Sequence, residues 1–173
     1  IPYGNEVIIG DARQHECKRG AEGEVLVRGA NVMRHYRNNP EATRNALTAD
    51  GWLRTGDLGR MDEDGFVFIT GRLKELIIKG GENIAPREID EALYSHADVI
   101  EAAAFGRECP QYGQKVEAGV KIRDGSKITA DELIHLCQEK IGDFKAPDQV
   151  HILHDLPKGP SGKIMKKILA QLI

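Results

Sequence analysis

The chain has 173 residues and a formal net charge of −3, with 29% charged and 40% hydrophobic residues, the profile of a soluble globular chain of one to one and a half domains. The slightly acidic balance offers no basic face for nucleic acid, and no apolar run reaches the ~18 residues of a membrane span, so neither a nucleic-acid partner nor a span is expected. Cys17, Cys109 and Cys137 are odd in number and form no C-x-x-C, so neither a metal site nor a disulfide framework is signalled, and a reducing, cytoplasmic compartment is the default. The chain opens on Ile1 rather than Met, which reads as a piece cut from something longer.

Residues 1–70 read as strand and turn. "EVIIG" and "EVLVRG" are short β-branched runs closed by glycine. "NPEATRNAL" carries Pro40 at a helix start and a small apolar set, Ala42, Ala46 and Leu47, which predicts a short helix. In "GWLRTGDLG" Asp57 sits between glycines just after a polar turn. Asp64-Gly65 then precedes the strand "FVFIT" as a hairpin turn.

Past Arg72 the character changes. "KELIIKGG" reads as a strand ending in a glycine pair. "PREIDEALYSH" reads as a helix opened by Pro86, with Ile89, Ala92 and Leu93 on one face. "VIEAAAFG" and "VEAGVKI" read as strands. "TADELIHLCQEKI" is the clearest helix, with a Thr129–Glu132 capping box and Leu133, Cys137 and Ile141 recurring at i+4. "QVHIL" is a strand and "GKIMKKILAQLI" an amphipathic tail helix. Strands first, then alternating strands and helices, predict an α/β (α+β) class. A β-rich piece, 1–72, is the incomplete end of a larger domain; a small α/β domain, 73–173, has a short sheet and flanking helices.

Three stretches could carry chemistry. The Asp57 carboxylate can accept from two vicinal hydroxyls, as a ribose-binding acid does; as an isolated feature it is an ordinary turn aspartate. Arg72 offers a planar fork for phosphate or hydroxyl oxygens, and Gly80-Gly81 permits positive φ and close approach to a ligand; a glycine pair after a strand is otherwise only a turn. "PKGPSGK", residues 157–163, falls short of a phosphate-binding G-x-x-x-x-G-K-[ST] loop, having Pro157 for the first glycine and Ile164 for the final hydroxyl. Lys163 then reads as a point charge on a loop, suited to neutralising developing negative charge, or as a solvated surface lysine.

"RTGD", "GRLKELIIKGGENIAPREIDEAL" and "FKAPDQVHILHDLPKGPSGKIMKK", in this order, resemble the adenylate-forming (AMP-binding) enzymes, above all the acyl-CoA synthetases and related carboxylate–CoA ligases. The resemblance runs from about Glu24 to the end. It implies ATP with Mg²⁺ as activator of a carboxylic acid, release of pyrophosphate, and CoA as acceptor of the acyl group from the adenylate. It also implies a small domain that swings against a large N-terminal one. By motif, Asp57 corresponds to the ribose-binding acid, Arg72 to a nucleotide-holding arginine and Lys74 to the hinge. Gly80, Gly81, Glu82 and Asn83 correspond to the CoA-side loop, and Lys163 to the catalytic lysine. Ile78 stands where some relatives carry lysine.

The implied ATP, Mg²⁺ and acyl sites belong mainly to a preceding N-terminal domain, so the chain is expected to be inactive alone. Lys163 also stands where protein lysine acetyltransferases modify such synthetases. The alternatives are an adenylation domain of a peptide synthetase, which hands its acyl group to a carrier-protein thiol, and a small nucleotide-binding module with a true phosphate loop.

Overall fold

A computed structural model describes residues 4–173. The chain divides into two compact units, the first running to Lys74 and the second starting at Glu75.

The first unit is an antiparallel sheet of four strands in sequence order: β1 (Asn5–Gly10), β2 (Glu22–Gly29), β3 (Leu53–Met61) and β4 (Val67–Arg72). Ile9, Val25 and Met61 form a buried cluster on it, flanked by Val7, Val27 and Val67. The predicted helix is α1 (Pro40–Ala46), with Pro40 in its first turn and the Asn39 side chain accepting from the Ala42 N–H at 2.9 Å. Such a cap satisfies one of the donors a helix start leaves free. The turn before β4 is closed by Gly65, at φ +83°, donating to the Asp62 carbonyl. Within "GWLRTGDLG", residues 53–59 belong to β3, a strand not read from the sequence, which pairs with both β2 and β4.

The second unit contains β5 (Ile77–Lys79), β6 (Glu82–Ile84), α2 (Pro86–Tyr94), β7 (Val99–Cys109), β8 (Gly113–Ile122), α3 (Ala130–Ile141), β9 (Gln149–Ile152) and α4 (Lys166–Leu172). Its sheet runs β6-β5-β8-β7, with β9 added parallel to β8. Residues of alternating parity on a strand face opposite sides, and both sides are covered here. Ala102, Ala104, Val116, Ala118, Val120 and Val150 join Ile89 and Leu93 of α2 and Leu133 and Cys137 of α3 in one cluster. Ala103 and Phe105 join Leu156 and Leu169 of α4 in another. Coverage on both faces explains why "AAAF" is apolar throughout rather than alternating. The expected capping box opens α3: Thr129 accepts from the Glu132 N–H, and the Glu132 carboxylate from the Thr129 N–H at 2.8 Å. The tail helix is shorter than expected; residues 162–165 belong to a loop. Among the described residues no helix is long and apolar enough to cross a membrane.

Two contacts on the α4 face of the sheet have measurable consequences. Gly119 lies under α4, and a Cβ there would stand 2.9 Å from Leu169 Cδ1 and 3.3 Å from Leu156 Cδ2. Glu117, fully buried, is held by Arg107 at 2.7 Å, Lys115 at 2.9 Å and His151 at 3.0 Å. Burial pushes its carboxyl up, but the hydrogen bonds from Lys115, Arg107 and His151 outweigh burial and hold it below the ordinary glutamate value.

Gly119→Val should destabilise the second unit by about 1–3 kcal/mol, the usual cost of overpacking, read by denaturant unfolding. Unchanged stability would mean that α4 does not seat on Gly119. A carboxylate whose value is lowered on folding contributes stability that is present above its unfolded value and lost as pH falls through its folded one. Glu117→Gln should therefore flatten the loss of stability on acidification below about pH 4.5, followed by melting temperature against pH. An unaltered acid limb would contradict the assignment.

Candidate functional site

In the first unit, Asp57 and Arg72 are cross-strand partners on β3 and β4, and Arg72 Nε lies 2.8 Å from Asp57 Oδ1 in an ion pair. Asp57 Oδ2 has no protein partner among the described residues, so the carboxylate keeps acceptor capacity for hydroxyl donors. Two residues predicted separately thus form one group. The sheet is irregular just before it: Leu26 pairs with Arg54 and Glu24 with Leu58, leaving Thr55, Gly56 and Asp57 opposite Val25 alone. Such a bulge re-aims side chains. Gly56 adopts φ +73°, which favours glycine. Lys74 is exposed in a single 3₁₀ turn, Leu73–Glu75. It lines a cleft of about 560 Å³ with Glu24, Arg54, Thr55 and Gly56.

In the second unit, Gly80 and Gly81 are the two-residue loop joining β5 to β6, at φ +59° and +88°. Positive φ at both positions matches the twist of a hairpin and explains the glycine pair. Glu82 and Asn83 follow on β6, both exposed. The expected single strand is therefore a hairpin. Its base is fixed by Lys79, buried, whose Nζ contacts both oxygens of Asp148 at 3.0 and 3.1 Å. Gly80 N–H donates to the Tyr112 carbonyl at 2.8 Å.

The "PKGPSGK" stretch is a closed hairpin. Lys158 and Ile164 form an antiparallel bridge. Gly159 N–H donates to the Lys163 carbonyl at 2.9 Å, Gly162 N–H to the Gly159 carbonyl, and Met165 N–H to the Pro157 carbonyl. Gly162 adopts φ +78°. A phosphate loop would instead turn its N–H groups outward at a helix start; here they close the loop, and α4 begins three residues beyond Lys163. Lysines flank the tip on both sides and are held. Lys158 Nζ lies 2.6 Å from Glu101 Oε1, and the hydrogen bond to Glu101 raises its affinity for a proton. Lys166 Nζ lies 2.9 Å from Asp90 Oδ2. Burial pushes the Asp90 carboxyl up, against the pull of Lys166. Lys163 is exposed, and its ammonium joins no hydrogen bond or ion pair among the described residues.

Glu24, Lys79, Asp148, Lys158 and Lys166 hold the motif segments in place and carry no motif signal of their own. Lys158 was the legible one, since it shares the Gly/Pro-rich loop with Lys163. The others earn their roles from partners between 30 and 76 positions away. The described residues gather no group of three or more His, Cys, Asp or Glu that could hold a metal ion.

Residues 88–163 match the family model of the AMP-binding enzyme C-terminal domain. This segment is an AMP-binding enzyme C-terminal domain. It is 50% identical over 147 residues to a sulfoacetate–CoA ligase of Cupriavidus necator, covering 85% of this chain and 29% of that protein. It is 42% identical over 170 residues to a probable CoA ligase of Humulus lupulus, covering 98% and 32%. The crystal structure of ATP-bound MatB from Rhodopseudomonas palustris superposes with a TM-score of 0.92 at 34% identity, over 98% of this chain and 34% of that one. The chain thus spans about a third of the length of the curated relatives it matches. The resemblance read from the three motifs and the α/β class are both found in these relatives.

Proposed function

We propose that these residues serve an AMP-forming acid–thiol ligase, an acyl-CoA synthetase, in which Lys163 supplies the positive charge for adenylation. The observation that carries this is the contrast inside one loop: Lys158 and Lys166 are each bound to a carboxylate, while Lys163 between them is exposed and unpaired. A surface that spends its acids on the flanking lysines leaves a single cation at the tip of a closed hairpin.

The chemistry needs such a charge. A substrate carboxylate oxygen attacks the α-phosphorus of ATP; a C–O–P link forms, and the bond to pyrophosphate breaks. Both reactants are anions, and negative charge grows on the non-bridging oxygens as they meet. A preorganised ammonium between them stabilises that charge, whereas solvent would have to reorganise. In the second step the CoA thiol loses its proton, sulfur attacks the acyl carbon, and AMP leaves. Lys163 has no part there. The free Oδ2 of Asp57 faces the ribose hydroxyls, with Arg72 holding the other oxygen. Lys74 is the hinge about which the second unit moves, and Gly80, Gly81, Glu82 and Asn83 line the path of CoA. CoA is taken as the acceptor, rather than a carrier-protein thiol, because both relatives are named as CoA ligases.

ATP, Mg²⁺ and the acid are held mainly by residues of an N-terminal domain, because catalysis here is chiefly positioning and the described residues offer no metal cluster. The 173-residue chain alone is inactive on this reading. A protein lysine acetyltransferase acting on Lys163 would remove its charge and silence the first step.

In the full-length protein, Lys163→Ala should lower ATP–pyrophosphate exchange by at least ~100-fold, the scale of removing one charge-stabilising donor. Thioester formation from preformed acyl-adenylate should stay within a few-fold of the unaltered enzyme. Enzymatic acetylation at Lys163, located by peptide mass, should give the same split. Equal loss of both half-reactions would overturn the role assigned to Lys163.

A further inference from the structure

The bulge before Asp57 places three residues of β3 against one of β2, so ordinary ladder bonds cannot serve their backbone groups. Buried backbone donors and acceptors must still be paired. Side chains do it here. Thr55 Oγ1 donates to the Val25 carbonyl at 2.8 Å and accepts from the Asp57 N–H at 3.0 Å. Glu24 is 8% exposed. Its Oε1 accepts from the Gly56 N–H at 3.1 Å, and its Oε2 from Arg54 Nε at 3.1 Å. The bulge is therefore tied at successive backbone positions, and the last tie is on the amide of Asp57 itself. A near-buried carboxylate is costly to desolvate. It is used here on the backbone amide of a glycine at positive φ and on the Arg54 guanidinium.

We infer that Thr55 and Glu24 are positioning residues for nucleotide binding: they fix the bulge and so the direction in which Asp57 presents its free oxygen. This rests on the reading of Asp57 as the ribose-binding acid. The hydroxyl of Thr55 is the more specific of the two, because one oxygen serves both strands. Valine has nearly the same shape but neither donates nor accepts, so Thr55→Val leaves the Asp57 amide and the Val25 carbonyl without their partner. Serine keeps the oxygen. Glu24→Gln keeps the volume but turns one donor against Arg54 Nε or the Gly56 N–H.

The test uses the full-length protein and measures KM for ATP, for the acid and for CoA, with Asp57→Asn alongside. Thr55→Val should raise KM for ATP about 5- to 10-fold, the effect of one lost hydrogen bond, with KM for CoA and acid unchanged. Thr55→Ser should restore it, and Glu24→Gln should move KM for ATP the same way. If Thr55→Val does not fold, Glu24→Gln decides. Folded variants with unchanged KM for ATP, or with all three constants raised alike, overturn the inference. If Asp57→Asn raises KM for ATP while the Thr55 and Glu24 variants do not, the positioning role alone fails. If Asp57→Asn itself leaves KM for ATP unchanged, the ribose reading fails and the inference falls with it.

Discussion

Leu169 seated on the bare backbone of Gly119 is the contact on which the second unit's chemistry depends. No side chain stands between sheet and helix at that point, so α4 lies close on β8. Leu156, at the start of the loop, is in the same cluster. The hairpin that carries Lys163 is therefore anchored to the sheet at both ends by buried leucines. Between them its own backbone bonds close it. A lysine side chain is long and loses much rotamer freedom when ordered. The structure leaves that freedom to the side chain of Lys163 and removes it from the backbone beneath. The ammonium has no partner among the described residues while the backbone beneath it is hydrogen-bonded.

Electrostatics divides the remaining cations by task. Lys79 with Asp148, Lys145 with Glu88 and Lys166 with Asp90 join segments distant in sequence. Around Glu117, the cations of Arg107 and Lys115 and the ring of His151 surround one buried carboxylate. Breaking such a pair by removing one partner leaves an uncompensated charge, which is why these groups fix arrangement more than they add stability. In the first unit the Asp57–Arg72 pair is different: one carboxylate oxygen remains unused. Restrained but incompletely satisfied groups are where ligand chemistry can act.

Much of the fold was legible because local signals agreed with tertiary need. Pro40 fixed the start of α1, Thr129 and Glu132 that of α3, and the 3.6-residue period of Ile89, Ala92 and Leu93 predicted the buried face of α2. The misses share a cause. β3 was hidden because "RTGD" has the composition of a turn; its strand character comes from pairing on both sides, and its glycine serves a bulge. β6 was hidden because three residues are too few for a period. The tail helix was overextended because "GKIM" is apolar enough to continue the pattern, whereas the Met165–Pro157 and Gly159–Lys163 bonds hold it in a hairpin. At the site, the motif residues could be named from sequence. The residues that hold them could not: Glu24 sits in an unremarkable β-branched run, and nothing local distinguishes a glutamate bonded to a glycine amide 32 positions away from one in water.

The central claim is that Lys163, unlike Lys158 and Lys166, is free to meet a phosphate. The most direct measurement treats the full-length protein with an adenosine polyphosphate bearing an aldehyde at its phosphate end, traps the imine with borohydride and maps the labelled lysine by peptide mass. The account predicts labelling at Lys163, prevented by excess ATP, with Lys158 and Lys166 unlabelled because their ammonium groups are held by Glu101 and Asp90. ATP-sensitive labelling of Lys158 or Lys166, with Lys163 bare, would contradict it.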